Sequence, residues 1–75
     1  MKNQNLIAAR RQSGKTQAQV AKEIESTEIA YQRYEYGMRE PKVTTAIKVA
    51  NALGVNDFKS FCELWSENTP KRNST

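Results

Sequence analysis

The sequence predicts an all-α fold of five short helices, and two features of its 75 residues carry this prediction. Apolar residues recur at positions i, i+3, i+4 and i+7, which places them on one face of a helix, and no stretch alternates with period two for long enough to indicate a strand. Each of the three glycines also follows a helix-like segment, where glycine commonly ends a helix in the left-handed conformation. The predicted helices span residues 3–13, 17–24, 28–36, 43–53 and 57–65.

The first two helices are marked mainly by their ends. Gly14 follows the segment from Leu6 to Ser13 and ends the first helix. Thr16 and Gln19 then fit a capping box, in which the threonine hydroxyl accepts from the N–H of Gln19 and the glutamine side chain returns to the N–H of Thr16. The second helix has a short apolar face formed by Val20, Ala21 and Ile24.

The third helix begins after Ser26 or Thr27, both of which are favourable capping residues. Gly37 ends it, and the spacing of Tyr31 and Tyr34 predicts that both side chains face the core. Only about three residues separate this helix from the second, so the two cannot lie as a relaxed antiparallel pair. They must cross steeply, which is the geometry of a helix-turn-helix.

The last two helices carry the longest apolar faces. Pro41 marks the start of the fourth helix, and Asn56 or Asp57 can cap the fifth. The apolar face of the fourth helix consists of Val43, Ala46, Ile47, Ala50 and Leu53. That of the fifth consists of Phe58, Phe61, Cys62 and Trp65. Residues 66–75 lack apolar side chains and are predicted to form a disordered polar tail, which leaves residues 1–65 as one domain.

Composition excludes several classes of function. The chain has no histidine and one cysteine, so Ser-His-Asp triads, Cys-His pairs, histidine metal sites, zinc clusters and internal disulfides are excluded. It shows neither a Gly-rich phosphate loop nor clustered carboxylates. We therefore expect a protein that is not an enzyme, with no catalytic residue, no metal, no cofactor and no small-molecule ligand.

Charge and hydropathy give weaker information about partners and location. No segment is apolar enough to span a bilayer, and no signal peptide is recognisable, so we expect no membrane contact and a cytoplasmic location. The chain has 12 Lys and Arg against 8 Asp and Glu, a formal net charge of +4. This excess is only weak support for a polyanionic partner.

The stretch from Gln17 to Gly37 resembles the helix-turn-helix of the phage repressor and Cro-like family, which in bacteria is often called the XRE family. Further residues at family spacing are Arg10, Thr16, Ala21, Glu35, Arg39, Pro41 and the segment from Val49 to Val55. The resemblance covers about residues 6 to 65 and implies a compact five-helix, lambda-repressor-like domain. It also implies a double-stranded DNA operator as the ligand and a homodimer, at least on DNA.

The resemblance implies roles for several residues. The third helix, from about Glu28 to Tyr36, would be the recognition helix in the major groove. Thr16 and Gln17 open the second helix, whose N-terminus would rest on a DNA phosphate. Arg10 and Glu35 match a pair that forms a partly buried salt bridge in relatives.

The residue pattern of the third helix gives a separate argument for base contacts. With its two tyrosines facing the core, the helix turns Glu28, Ile29, Gln32 and Arg33 outward. Arg33 can donate to guanine and Gln32 can pair with adenine, while Glu28 can accept from cytosine and a thymine methyl group can meet Ile29. Plainer roles stay open. Glu28 can simply favour the helix start, Ile29 can complete the core, and the other two can be solvated surface residues.

Basic residues outside the third helix are predicted to contact phosphates. They are Arg39 and Lys42, on either side of Pro41, and Lys15, beside the start of the second helix. A solvated surface position is the alternative for each lysine. Lys42 also stands where Ser or Thr often caps the fourth helix in relatives, and Glu25 stands at a turn position usually occupied by glycine. The turn at Glu25 must therefore be strained or use another conformation.

These features together predict a sequence-specific transcriptional regulator: a phage, prophage or bacterial repressor, a Cro-like protein, or the DNA-binding domain of a longer repressor, acting in the bacterial cytoplasm or nucleoid. The alternative is a protein-interaction module of the same fold, such as an antitoxin or anti-repressor partner, with weak DNA binding. The acidic Glu25 and Glu28 are its best support. Leu64 and Trp65 are candidates for a dimer surface, with core capping by this helix as the alternative.

Overall fold

The computed structural model describes residues 2–66, which form five α-helices with no strand among them. The helices are α1 (Gln4–Ser13), α2 (Gln17–Glu23), α3 (Glu28–Glu35), α4 (Val43–Ala52) and α5 (Phe58–Ser66). Each predicted helix is present, with bounds within one residue of the predicted ones, so the all-α fold is confirmed. The predicted disordered tail lies outside the described residues, apart from Ser66 at the end of α5.

Side chains cap the start of four of these helices by accepting a backbone N–H, and they are Asn3, Thr16, Thr27 and Asp57. The predicted capping box is complete, since Gln19 donates its N–H to the Thr16 hydroxyl at 3.1 Å and accepts the Thr16 N–H at 2.8 Å. Lys42 precedes α4 at the N-cap position, and its side chain makes no capping hydrogen bond. This helix start therefore lacks a bond that the others have.

Asn3 is fully buried and connects three helices. Its side-chain oxygen accepts from the N–H of Leu6 at 3.0 Å, which starts α1. Its amide group donates to the carbonyl of Leu64 in α5 at 2.7 Å, and its backbone N–H donates to the carbonyl of Glu35 at 2.8 Å. One buried asparagine thus ties the start of α1 to the ends of α3 and α5.

The core lies where α1 packs against α3 and α5, while α2 packs against α3 and α4. Its buried apolar residues are Leu6, Val20, Ala21, Ile24, Tyr31, Tyr34, Val49, Ala50, Leu53 and Leu64. The two tyrosine rings meet edge to face with centroids 6.4 Å apart, and both are buried as predicted. No helix in this part of the chain is long and apolar enough to cross a bilayer.

The turn between α2 and α3 uses a left-handed residue that is not glycine. Glu25 has φ 60°, and no other non-glycine residue between positions 2 and 66 has positive φ. Its N–H donates to the carbonyl of Lys22, and the N–H of Ser26 donates to that of Ala21, which is a Schellman motif. The same motif ends α4 at Gly54. The turn therefore keeps the glycine geometry, and the backbone of Glu25 is strained there because its Cβ crowds the following carbonyl oxygen.

Replacing Glu25 by glycine should stabilise the protein. Relief of the left-handed strain gains about 1–2 kcal/mol, and the greater freedom of glycine in the unfolded chain costs about 0.4–1 kcal/mol. We expect a net gain of about 0.5–1 kcal/mol in the free energy of unfolding, measured by urea denaturation. The control is Glu40→Gly, an exposed loop position without positive φ, which should be destabilising. Equal effects of the two substitutions would contradict strain at Glu25.

Candidate nucleic-acid interface

Helix α3 has one buried side and one exposed side. Its orientation is fixed by Tyr31, Tyr34 and Glu35, which are all buried. Glu28, Ile29 and Arg33 lie on the exposed side, and Gln32 is half-buried against α2. Ile29 is 63% exposed, so it does not complete the core. The structure therefore brings the four predicted base-contact residues to one face, and Gln32 is the one that lies against α2.

A buried ion pair joins this helix to α1. Arg10 donates from Nε to Glu35 Oε2 at 2.6 Å and from a guanidinium nitrogen to Oε1 at 3.4 Å. The Glu35 side chain is only 1% exposed, and that of Arg10 is 14% exposed. Arg10 also donates to the carbonyl of Lys15 at 3.1 Å, just before α2. The guanidinium therefore contacts the last residue of α3 and the segment that leads into α2.

The electrostatics around Glu35 follow from this burial. Burial alone would raise the pKa of Glu35, but the hydrogen bonds and charge of Arg10, together with the neighbouring Tyr31 hydroxyl and Gln17 amide, outweigh it and hold the pKa below its ordinary value. Burial and the adjacent carboxylate raise the pKa of the Tyr31 hydroxyl. That hydroxyl makes no hydrogen bond within residues 2–66. Glu35 is thus an ionised carboxylate held inside the protein, and it can only accept hydrogen bonds.

A chain of side-chain hydrogen bonds runs from this carboxylate to the exposed face. Gln17 Nε2 donates to Glu35 Oε1 at 2.9 Å, and Gln32 Nε2 donates to Gln17 Oε1 at 3.1 Å. Gln32 Nε2 is also 3.4 Å from Glu28 Oε2. The sequence predicts separate DNA contacts for Gln17 and Gln32 and gives no indication that they bond to each other. Their spacing along the chain carries no signal of it, because the bond depends on how α2 crosses α3.

The basic residues predicted to contact phosphates lie in different settings. Arg39 and Lys42 are exposed in the segment between α3 and α4, with no ion-pair partner in the described part of the chain. Lys15 differs, because its ammonium donates to Glu23 at 2.8 Å and to the carbonyl of Ala52 at 2.6 Å. Lys15 therefore secures the end of α4, and its charge is already engaged within the protein.

Leu64 was expected at a dimer surface, but the exposed apolar surface of α5 is formed by another residue. Leu64 is only 3% exposed and belongs to the core, because α5 turns it inward against the other helices. Trp65 is partly buried against the same core. Phe58, by contrast, is 81% exposed at the edge of a groove between α4 and α5 that Ile47 and Phe61 also line. The placement of Leu64 on a surface is thus corrected, and Phe58 is the exposed aromatic residue of α5.

Comparison with models of known protein families gives a match over most of the chain. A model of the helix-turn-helix family, of the Cro/C1 (XRE) type, matches residues 6–57, which is more than half of the chain. The matched segment includes most of α1, all of α2 to α4 and the Asp57 cap of α5. Neither a curated protein nor a solved structure matches the chain significantly.

Replacing Arg10 by methionine should lower the free energy of unfolding by about 3 kcal/mol at neutral pH, since it strands the buried Glu35 carboxylate. With a folded pKa below the ordinary 4.5, Glu35 contributes stability above that pH and loses it as the pH falls through the folded pKa. The difference between wild type and variant should therefore narrow in acid, as urea denaturation at several pH values would measure.

The matched control for this prediction is Arg11→Met, which removes an exposed arginine from the next position of α1. It should change the free energy of unfolding by no more than about 0.5 kcal/mol. A similar loss in both variants, or a gap for Arg10→Met that stays constant in acid, would show that the ion pair does not support the fold in this way.

Proposed function

This chain belongs to the helix-turn-helix family of the Cro/C1 (XRE) type, and we propose that it is a repressor or Cro-like regulator that binds a specific double-stranded DNA operator. The coarser description, a DNA-binding transcription regulator of the XRE type, rests on the family match. The observation that supports the finer one is the outer face of α3. There, Glu28, Ile29 and Arg33 point away from a helix whose other side is buried.

We place α3 in the major groove, where these side chains reach base edges. Arg33 is exposed and unpaired within residues 2–66, so it is able to donate two hydrogen bonds to guanine. Glu28 accepts from a cytosine amino group, and Ile29 contacts a thymine methyl group. A carboxylate here repels phosphates, so Glu28 serves discrimination between sequences more than affinity.

Phosphate contacts position the helix in the groove. Arg39 and Lys42 lie in the segment before α4, with side chains that the fold leaves exposed. At the start of α2, the Thr16 hydroxyl is still able to donate, while Gln17 uses its amide within the protein. Lys15 contributes less to DNA binding than the sequence predicted, because its ammonium is held at the end of α4.

We further propose that the protein binds as a homodimer to a two-fold operator. Two such domains read half-sites about 34–36 Å apart on one side of the duplex. The groove beside Phe58 is the apolar surface we assign to the second copy, in place of Leu64. Residues 67–75 contain no Ala, Val, Leu, Ile, Met or aromatic residue, so this segment offers little apolar surface to cover the groove.

The competing hypothesis is a protein-interaction module, an antitoxin or anti-repressor partner, that keeps the fold and binds DNA weakly. Glu25 and Glu28 favour it, because both are acidic and exposed near the edge that would face DNA. The left-handed conformation of Glu25 fixes where this residue lies at the end of α2, but it does not explain why its side chain is acidic. Neither hypothesis makes the protein an enzyme, and we propose a role by binding alone in the bacterial cytoplasm or nucleoid.

Selection of binding sites from random DNA duplexes tests the proposal. We expect enrichment of a defined sequence with two-fold symmetry. Weak binding to all duplexes that salt abolishes would instead support the interaction module. A selected site without symmetry would contradict the dimer but not the regulator.

On the selected site, Arg33→Ala should lower the affinity ratio between operator and random DNA by about 5- to 150-fold, the equivalent of about 1–3 kcal/mol. Lys42→Ala should weaken binding to every sequence and reduce the log–log salt slope by about 0.9. The control is Lys48→Ala, which removes an exposed charge from α4 near Glu23 and Glu25. If Arg33→Ala leaves the ratio unchanged, Arg33 does not read a base.

A further inference from the structure

We propose that Gln17 is a positioning residue that fixes the amide of Gln32 with its carbonyl oxygen toward DNA, so that the protein selects a base bearing an amino group there. This proposal rests on the proposed function, because it assumes that α3 reads base edges. It concerns which end of a glutamine amide is presented, a property that the identity of the residue alone leaves open.

The first step is the Glu35 carboxylate. Glu35 is 1% exposed and paired with Arg10, so it is ionised and only accepts hydrogen bonds. The nearest Gln17 atom, 2.9 Å from Glu35 Oε1, must therefore be the NH₂ group. The buried carboxylate thus decides the orientation of the Gln17 amide.

The second step carries this orientation to α3. With its NH₂ group toward Glu35, Gln17 turns its oxygen toward Gln32, 3.1 Å away, and this oxygen only accepts. Gln32 must in turn present its NH₂ group, which also lies 3.4 Å from a Glu28 oxygen. The reverse orientation would place the Gln32 oxygen against two acceptors.

The atom of the Gln32 amide that is left for DNA is its oxygen. The Gln32 oxygen accepts no hydrogen bond within residues 2–66, whereas the hydrogens of its NH₂ group are directed to Gln17 and Glu28. This oxygen can accept from the amino group of adenine or cytosine in the major groove. Guanine and thymine present only acceptors there, apart from the thymine methyl group, and they leave the oxygen without a donor. Adenine or cytosine is therefore preferred at this position.

The experiment compares Gln17→Met with wild type on the selected operator and on versions that carry each of the four base pairs at the position read by Gln32. Gln32→Ala identifies that position, because the preference disappears there alone. In Gln17→Met the Gln32 amide is free to turn, so the preference for adenine or cytosine should fall by about fivefold, the factor equivalent to about 1 kcal/mol for one net hydrogen bond. Preferences at the other positions should hold.

The matched control is Gln19→Met, the same substitution in the same helix. The Gln19 side chain bonds to the N–H of Thr16 and not to α3, so its loss should leave the preference at the Gln32 position unchanged. If Gln17→Met weakened binding to all sequences equally, the proposal would be overturned, because that result would indicate the loss of a phosphate contact or of stability. Selection of guanine or thymine by wild type would also overturn it.

A measurement without DNA separates this proposal from the proposed function. In the free protein, the side-chain NH₂ hydrogens of Gln32 should exchange with solvent more slowly in wild type than in Gln17→Met, as nuclear magnetic resonance would detect. Equal exchange would overturn the positioning role even if an operator is found. Protected hydrogens in a protein that selects no DNA sequence would refute the proposed function, and with it the base preference.

Discussion

The buried carboxylate of Glu35 is the constraint on which this structure depends. A charge that is 1% exposed is unfavourable unless cations and donors surround it, and here they come from two other helices. Arg10 reaches it from α1, and Gln17 reaches it from the start of α2. Because this charge must be compensated where it lies, it requires α1, the start of α2 and the end of α3 to meet at one point. The resulting orientation of α3 decides which side chains face outward.

Local features of the sequence predict most of the fold. The capping box at Thr16, the tyrosine spacing in α3 and the three glycine ends are all encoded within a few residues, so the helix bounds follow closely. The contacts of Lys15 with Ala52 and of Gln17 with Gln32 were not predictable in the same way. They join residues on different helices, and only the packing of those helices brings them within hydrogen-bond distance.

The predicted site shows the same division. Periodicity predicted that the outer face of α3 would carry Glu28, Ile29 and Arg33, because this prediction requires only the positions of the two core tyrosines. It could not show that Gln32 bonds to α2, nor that Leu64 is buried beneath α5 while Phe58 is exposed. In a short helix with apolar residues around much of its circumference, the pattern alone does not decide which ones pack inward.

The central claim is that Glu35 supports recognition as well as folding. The double variant Arg10→Met and Glu35→Leu tests it, because replacing both charges by apolar side chains should leave the protein folded, unlike the loss of either one. The measurement is its base preference on the selected operator at the position read by Gln32. We predict a folded protein whose preference for adenine or cytosine there falls by about fivefold, since Gln17 loses its acceptor. A folded double variant with the wild-type preference would contradict the account.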